Sequence, residues 1–145
     1  MMNADANADL VRVRRLIANG ANVHERTKAG ETALYEAIER RSPTAENLPI
    51  VNELLKAGAD PNAEEIFGMH AVGVSLTRDY GNPAVTLLLL RAGAEVPRNC
   101  PSREDSLLSL ATQNGNLDVV QAMVRKDAPV VCGTGTEGQR SILPR

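Results

Sequence analysis

Aromatic residues are nearly missing from this chain, which has no Trp, one Phe and two Tyr, together 2% of its residues. Its interior must therefore be built from Leu, Ile, Val and Ala, and small aliphatic cores of that kind suit closely packed helices. Cysteine is also scarce. Cys100 and Cys132 stand outside any C-x-x-C pair, which excludes a disulfide framework and leaves free thiols as the plain reading. Neither sign of charge dominates: 16 basic and 18 acidic residues give a net charge of −2 without a long block of one sign. Such a chain projects no strong directional field, so nucleic acid and anionic membrane are poor partners. The longest apolar stretch, Val85-Thr86-Leu87-Leu88-Leu89-Leu90, falls far short of the ~20 residues that span a bilayer. The opening MMNADANADL lacks the basic start and apolar run of an export signal. The expectation is a cytoplasmic protein without a membrane partner, and 145 residues suit a single domain.

What the chain does contain is a repeat. Leu16-Ile17-Ala18-Asn19-Gly20-Ala21-Asn22-Val23 returns as Leu54-Leu55-Lys56-Ala57-Gly58-Ala59-Asp60-Pro61 and as Leu89-Leu90-Arg91-Ala92-Gly93-Ala94-Glu95-Val96. A degraded fourth copy is Met123-Val124-Arg125-Lys126-Asp127-Ala128-Pro129-Val130. The steps from Gly20 to Gly58, Gly93 and Asp127 are 38, 35 and 34 residues, a period typical of stacked two-helix units. A second signal follows about ten residues after the glycines of the first two copies, where Gly30-Glu31-Thr32-Ala33-Leu34-Tyr35-Glu36-Ala37-Ile38 aligns with Gly68–Leu76 and with Glu104–Thr112. Gly138–Leu143 looks like the start of one more.

In these residues the chain resembles the ankyrin-repeat family, whose unit is G-x-T-P-L-H-x-A-A, a turn, a second helix ending in L-L-x-x-G-A-D-V-N, and a hairpin finger. The resemblance runs from residue 8 to about 143 and is closest in GETALYEAI and IVNELLKAGADPNA. It implies an all-α solenoid of stacked helix-turn-helix units with hairpin fingers. Residues 1–145 form a single domain in that reading, with a partial repeat at 1–27, repeats at about 28–65, 66–101 and 102–135, and a partial repeat or tail at 136–145.

The pattern has a physical basis. Thr32, and Ser106 in the third copy, stand where a hydroxyl caps a helix start. Ala33, Leu34, Ala37 and Ile38 share one helical face, and Ile50, Val51, Leu54 and Leu55 form the matching stripe. Gly58 supplies the left-handed residue that ends the second helix. The spacing predicts helices near 9–18, 32–41, 48–57, 70–78, 83–92, 106–113 and 117–126, with Leu54, Leu55, Leu89 and Leu90 buried. No single unit can bury its faces alone, so stability comes from stacking. Departures are equally specific: Ser42–Glu46 and Asp79–Gly81 read as enlarged loops, and T-P-L-H is replaced by T-A-L-Y, H-A-V-G and S-L-L-S. The histidine that in the family bridges neighbouring finger backbones is thus absent.

Nothing in the chain pairs a nucleophile with a base or gathers metal ligands. His24 falls in the first finger and His70 at a helix start, each a structural histidine in the plain reading. Gly133-Thr134-Gly135-Thr136-Glu137-Gly138 lacks the G-K-[ST] ending of a phosphate loop. Arg12, Arg14 and Arg15 share a helix with core residues and belong on its solvated side. Asn62 reads as bonding its own finger backbone. The expected function is non-enzymatic, without cofactor or metal: a module that binds a protein partner through its fingers and first helices, centred on Lys28, Glu31, Tyr35, Glu39, Arg40, Ile66, Phe67, Met69, Arg78 and Arg103. Phe67, flanked by Ile66 and Met69, is the expected anchor, unless it folds back as local core. The alternative is a structural role, as a piece of a longer array or as a chain that self-associates weakly end to end through its incomplete terminal repeats.

Overall fold

The computed structural model describes residues 2–39, 47–64, 70–77, 82–96 and 106–128, with side chains from residue 9 onward. Seven helices lie within them: α1 Met2–Ala18, α2 Ala33–Glu39, α3 Asn47–Lys56, α4 Ala71–Leu76, α5 Pro83–Arg91, α6 Leu107–Gln113 and α7 Leu117–Arg125. In sequence they are a lone helix followed by three pairs. In space, α2 packs on α3, α4 on α5 and α6 on α7, while α2, α4 and α6 form one row and α1, α3, α5 and α7 a second. Among the described residues there are no strands, only two isolated antiparallel bridges, Arg26 with Thr32 and Glu64 with His70. This is the all-α stack that the spacing predicted.

Each second helix ends the same way. Gly20, Gly58 and Gly93 take φ of 83°, 93° and 100°, and the residue after each donates back into the helix: Ala21 to Leu16, Ala59 to Leu54 and Ala94 to Leu89, each at 3.0 Å. The glycine N–H groups reach Ile17, Leu55 and Leu90, completing the Schellman closure. The degraded fourth copy keeps this geometry. Ala128 donates to Met123 at 3.1 Å, and Asp127 is the one non-glycine residue with positive φ, 53°, among those described.

First helices start on hydroxyls where the sequence supplies them. Thr32 Oγ1 accepts from the Tyr35 N–H at 3.3 Å and Ser106 Oγ from the Ser109 N–H at 3.0 Å. Second helices start on asparagine. Asn82 Oδ1 accepts from the Ala84 N–H and Asn116 Oδ1 from the Val119 N–H, and Pro83 at the first helical position needs no partner for a missing donor. Asn47, Asn82 and Asn116 each stand 11 residues before the left-handed stop of their helix. Two of them meet: Asn82 Nδ2 donates to Asn47 Oδ1 at 3.2 Å, while Asn47 Nδ2 reaches the Ala37 carbonyl. A buried Ser75–Thr86 hydroxyl pair at 2.9 Å ties α4 to α5 alongside them.

The core lies between the two rows and is aliphatic, with Leu34, Ile38, Val51, Val72, Val74, Val85, Leu89, Val119 and Met123 fully buried. Every residue of α4 is buried. Leu54 and Leu90 are buried as expected, whereas Leu55 is only partly covered, its side chain lying at the edge of the second-helix row. Helix α1 begins at Met2 rather than near residue 9; Ala4, Ala6 and Ala8 favour helix intrinsically, and the apolar spacing of residues 10–17 gave no sign of that extension. On the outer side of the stack, Arg14 donates to Glu53 Oε1 at 3.0 Å, with Lys56 3.9 Å away. The hydrogen bond from Arg14 is the main force holding the Glu53 carboxyl below its usual range; desolvation opposes it, and the charges of Arg14 and Lys56 add to it.

Two consequences can be measured by chemical denaturation. Leu89→Ala should cost ~2–5 kcal/mol, because it empties a fully enclosed site, while Leu16→Ala should stay within ~0.5 kcal/mol because that side chain is already in water. Equal losses would refute this division of the core. Asp127→Gly should stabilise the chain by about 1 kcal/mol, the strain an L-residue carries in the left-handed region; a loss of stability would show that the Asp127 side chain makes up for its backbone.

Candidate protein-binding face

The fingers link successive repeats across the edge next to the first helices. In the first finger, Thr27 and Glu31 close a tight turn: the Thr27 N–H donates to the Glu31 carbonyl and the Gly30 N–H to the Thr27 carbonyl, both at 2.9 Å. Lys28 sits exposed at the apex. Arg26 then bridges to the second finger, its Nη1 donating to the Gly30 carbonyl at 2.8 Å and to the Glu64 carbonyl at 2.6 Å. Asn62 performs the next link. Its Oδ1 accepts from the Glu95 N–H at 2.7 Å and its Nδ2 lies 3.5 Å from the Gly93 carbonyl. Asn62 therefore holds the following finger rather than its own; only its backbone N–H is turned inward, to Asp60 Oδ1. Arg26 and Asn62 thus do the bracing for which the family histidine is missing.

His70 is the N-cap residue of α4 but makes no side-chain cap bond. Its Nε2 lies 3.2 Å from Glu64 Oε1, beside the bridge between the same two residues. His24 is exposed, its backbone N–H held by Asn22 Oδ1. Among the described residues no three His, Cys, Asp or Glu side chains converge as metal ligands would.

Of the residues expected to meet a partner, four are described. Lys28 is exposed, Glu31 and Glu39 are half-buried at opposite ends of the first finger–helix unit, and Tyr35 is buried at 3% exposure. Tyr35 therefore belongs to the core, because the helical register that starts at Thr32 turns it inward together with Leu34 and Ile38; its position on the recognition face is corrected accordingly. Arg40, Ile66, Phe67, Met69, Arg78 and Arg103 lie outside the described residues, as do Cys100 and Cys132. Two features were missed. Ala33 and Glu36 are the exposed positions of α2, and Glu36 could have been found as the charged residue between the apolar pairs of that helix. Helix α4 contributes no exposed side chain, so the first-helix row is open at α2 and at the Thr112–Gln113 end of α6, and closed between them.

A cleft of about 250 Å³ opens at the opposite edge, between Thr77, Pro83, Asn114 and Asn116. Its amides are committed to the fold, Asn114 Nδ2 to the Leu76 carbonyl at 2.9 Å and Asn116 Oδ1 to the start of α7. They are not offered to a ligand.

Left-handed stops, paired helices and linked fingers define a repeat protein built of stacked two-helix units. Residues 29–65 match the ankyrin repeat, and the chain belongs to the ankyrin-repeat proteins. It is 31% identical over 117 residues, 80% of its length, to an ankyrin repeat and KH domain-containing protein of Caenorhabditis elegans. It is 28% identical over 141 residues, 90% of its length, to an ankyrin repeat protein of fowlpox virus. A mitochondrial disaggregase of Bos taurus is 34% identical over 94 residues, 57% of the chain. The chain spans only 4%, 16% and 13% of these three relatives. Ankyrin repeats generally serve protein–protein interaction, and no helix among the described residues is long and apolar enough to cross a membrane.

The bracing can be tested directly. Asn62→Ala should lower stability by ~0.5–1.5 kcal/mol per bond lost and speed hydrogen exchange at Glu95 while leaving α1 unchanged. Unaltered exchange at Glu95 would show that the link is not maintained in solution.

Proposed function

We propose that this chain is a non-enzymatic, cytoplasmic module that binds a folded protein partner through its fingers and first helices. The observation that supports it best is the cross-linking of the fingers. Arg26 and Asn62 bind the backbones of the next repeats, so the described bases of the fingers are tied to one another before any partner arrives, and Lys28 stands exposed on the first of them. A prepared surface loses less freedom on association than a mobile one. The contact set in this reading is Lys28, Glu31, Glu36 and Glu39 around the first repeat, continued by Arg40, Ile66, Phe67, Met69, Arg78 and Arg103. Phe67 would be the anchor, since a buried aromatic often supplies most of the energy of an interface. The mixed charges around it would set partner choice and association rate. Neither nucleic acid nor membrane suits a surface of such even charge.

The test is capture of a specific protein from the native host by the intact chain. Ile66→Ala combined with Phe67→Ala should weaken that capture by at least tenfold without lowering the melting temperature. Loss of folding in that variant would assign Phe67 to the core. An interface mapped to Arg14, Asn52 and Gln121, on the second-helix row, would overturn the choice of face.

A further inference from the structure

The sequence contains two Asn-Gly pairs, Asn19-Gly20 and Asn114-Gly115. In such a pair no side chain shields the glycine nitrogen from the carboxamide carbon of the asparagine before it, and asparagine is among the thermolabile residues. The two pairs are held almost alike. Both asparagines are exposed and close a helix, α1 or α6. Both glycines are left-handed, with φ of 83° and 70°. Both glycine N–H groups donate at 3.0 Å to the carbonyl three residues back, that of Ile17 or Thr112. No atom lies within 4 Å of where a Cβ on either glycine would stand. The nitrogen is therefore equally placed and equally open in the two.

They differ at the carbon it would attack. Asn114 Nδ2 donates to the Leu76 carbonyl at 2.9 Å, which fixes its carboxamide against α4. The Asn19 carboxamide has no hydrogen-bond partner among the described residues. Comparison between repeats isolates Asn19 further. Its equivalents, one residue before the left-handed stop, are Ala57, Ala92 and Lys126, none of which carries a carbonyl carbon in its side chain. Of the four second-helix closures, only the first holds a reactive pair.

We infer that Asn19 is a site of spontaneous deamidation and that its conversion loosens the first closure. When the end of α1 opens locally, the Gly20 N–H leaves the Ile17 carbonyl and gives its proton to base. The nitrogen then bonds to Asn19 Cγ, and the side-chain nitrogen takes up a proton and departs as ammonia. Water opens the resulting cyclic imide at either carbonyl, leaving aspartate or isoaspartate at residue 19. Isoaspartate routes the main chain through the former side chain and lengthens it by a methylene. The Gly20 and Ala21 N–H groups, which donate to Ile17 and Leu16 at 3.0 Å, are thereby carried out of register, and the first finger loses its anchor on α1. None of this depends on the partner assigned to the fingers.

The test is to age the full chain in mildly alkaline buffer and map its peptides by mass spectrometry. Because Asn114 must first give up a hydrogen bond, Asn19 should convert about tenfold faster in the folded chain. In denaturant the two should convert at similar rates. Isoaspartate at residue 19 should be detected by enzymatic carboxyl methylation, and amide exchange at Ala21 should speed in the aged chain while that at Ala59 is unchanged. Asn19→Asp, which adds the charge without the methylene, should keep the slow exchange at Ala21. Asn19→Gln should abolish the fast conversion and leave the circular dichroism as it was. Equal rates at the two asparagines of the folded chain, or faster conversion at Asn114, overturn the assignment. So does an Asn19 that stays intact for as long as the denatured chain takes to convert. Isoaspartate at residue 19 with unchanged exchange at Ala21 overturns the loosening.

Discussion

The structure depends on the chain reversing into the left-handed region at the end of each second helix. A right-handed helix cannot end abruptly and still satisfy its last carbonyls unless some residue turns the following N–H back toward them. Gly20, Gly58, Gly93 and Asp127 do so, and the alanines that follow fold back against the helix they close. Because the closure has the same geometry each time, successive second helices stop level with one another and launch their fingers toward the same edge. Stacking follows from that alignment, and the aliphatic core from the stacking.

Much of this was legible in the sequence because the signals are local. A glycine after Leu-Leu-x-Ala, a hydroxyl before Ala-Leu and a recurrence near 35 residues were enough to place α2 to α7 within a few residues. What could not be read depends on which side of a helix faces a neighbour. Tyr35 sits where the family carries a polar side chain, yet the register from Thr32 turns it into the core. Leu54 and Leu55 look alike in sequence, and only packing separates the enclosed leucine from the edge one. The asparagines at 47, 82 and 116 were present at constant spacing, but their contact across repeats is a property of the stack. The candidate face was legible only in part: Lys28 stands where the pattern puts it, while the closure of the first-helix row at α4 arises from Ala71, Val72, Gly73 and Val74 being too small and apolar to reach past their neighbours.

The fingers show how a lost motif can be replaced. Without the bridging histidine, the chain recruits a guanidinium and an amide to the backbones of neighbouring fingers. Arg26 spans 38 residues to Glu64, and Asn62 spans 31 and 33 residues to Gly93 and Glu95. Both side chains lie at the base of their fingers, and each reaches a residue of the following finger.

Helix α4 has a consequence for how the array comes apart. In a linear stack, cooperativity depends on how much of each unit's free energy lies in its interfaces rather than within itself. A six-residue helix buried on every side is nearly all interface: alone it is too short to persist, and removing it would leave α2 and α6 facing a gap. The middle of this chain therefore behaves as a keystone, so that the repeats on either side open together or stay closed together. The outer helices α1 and α7, each with a face in water, can fray independently of that event.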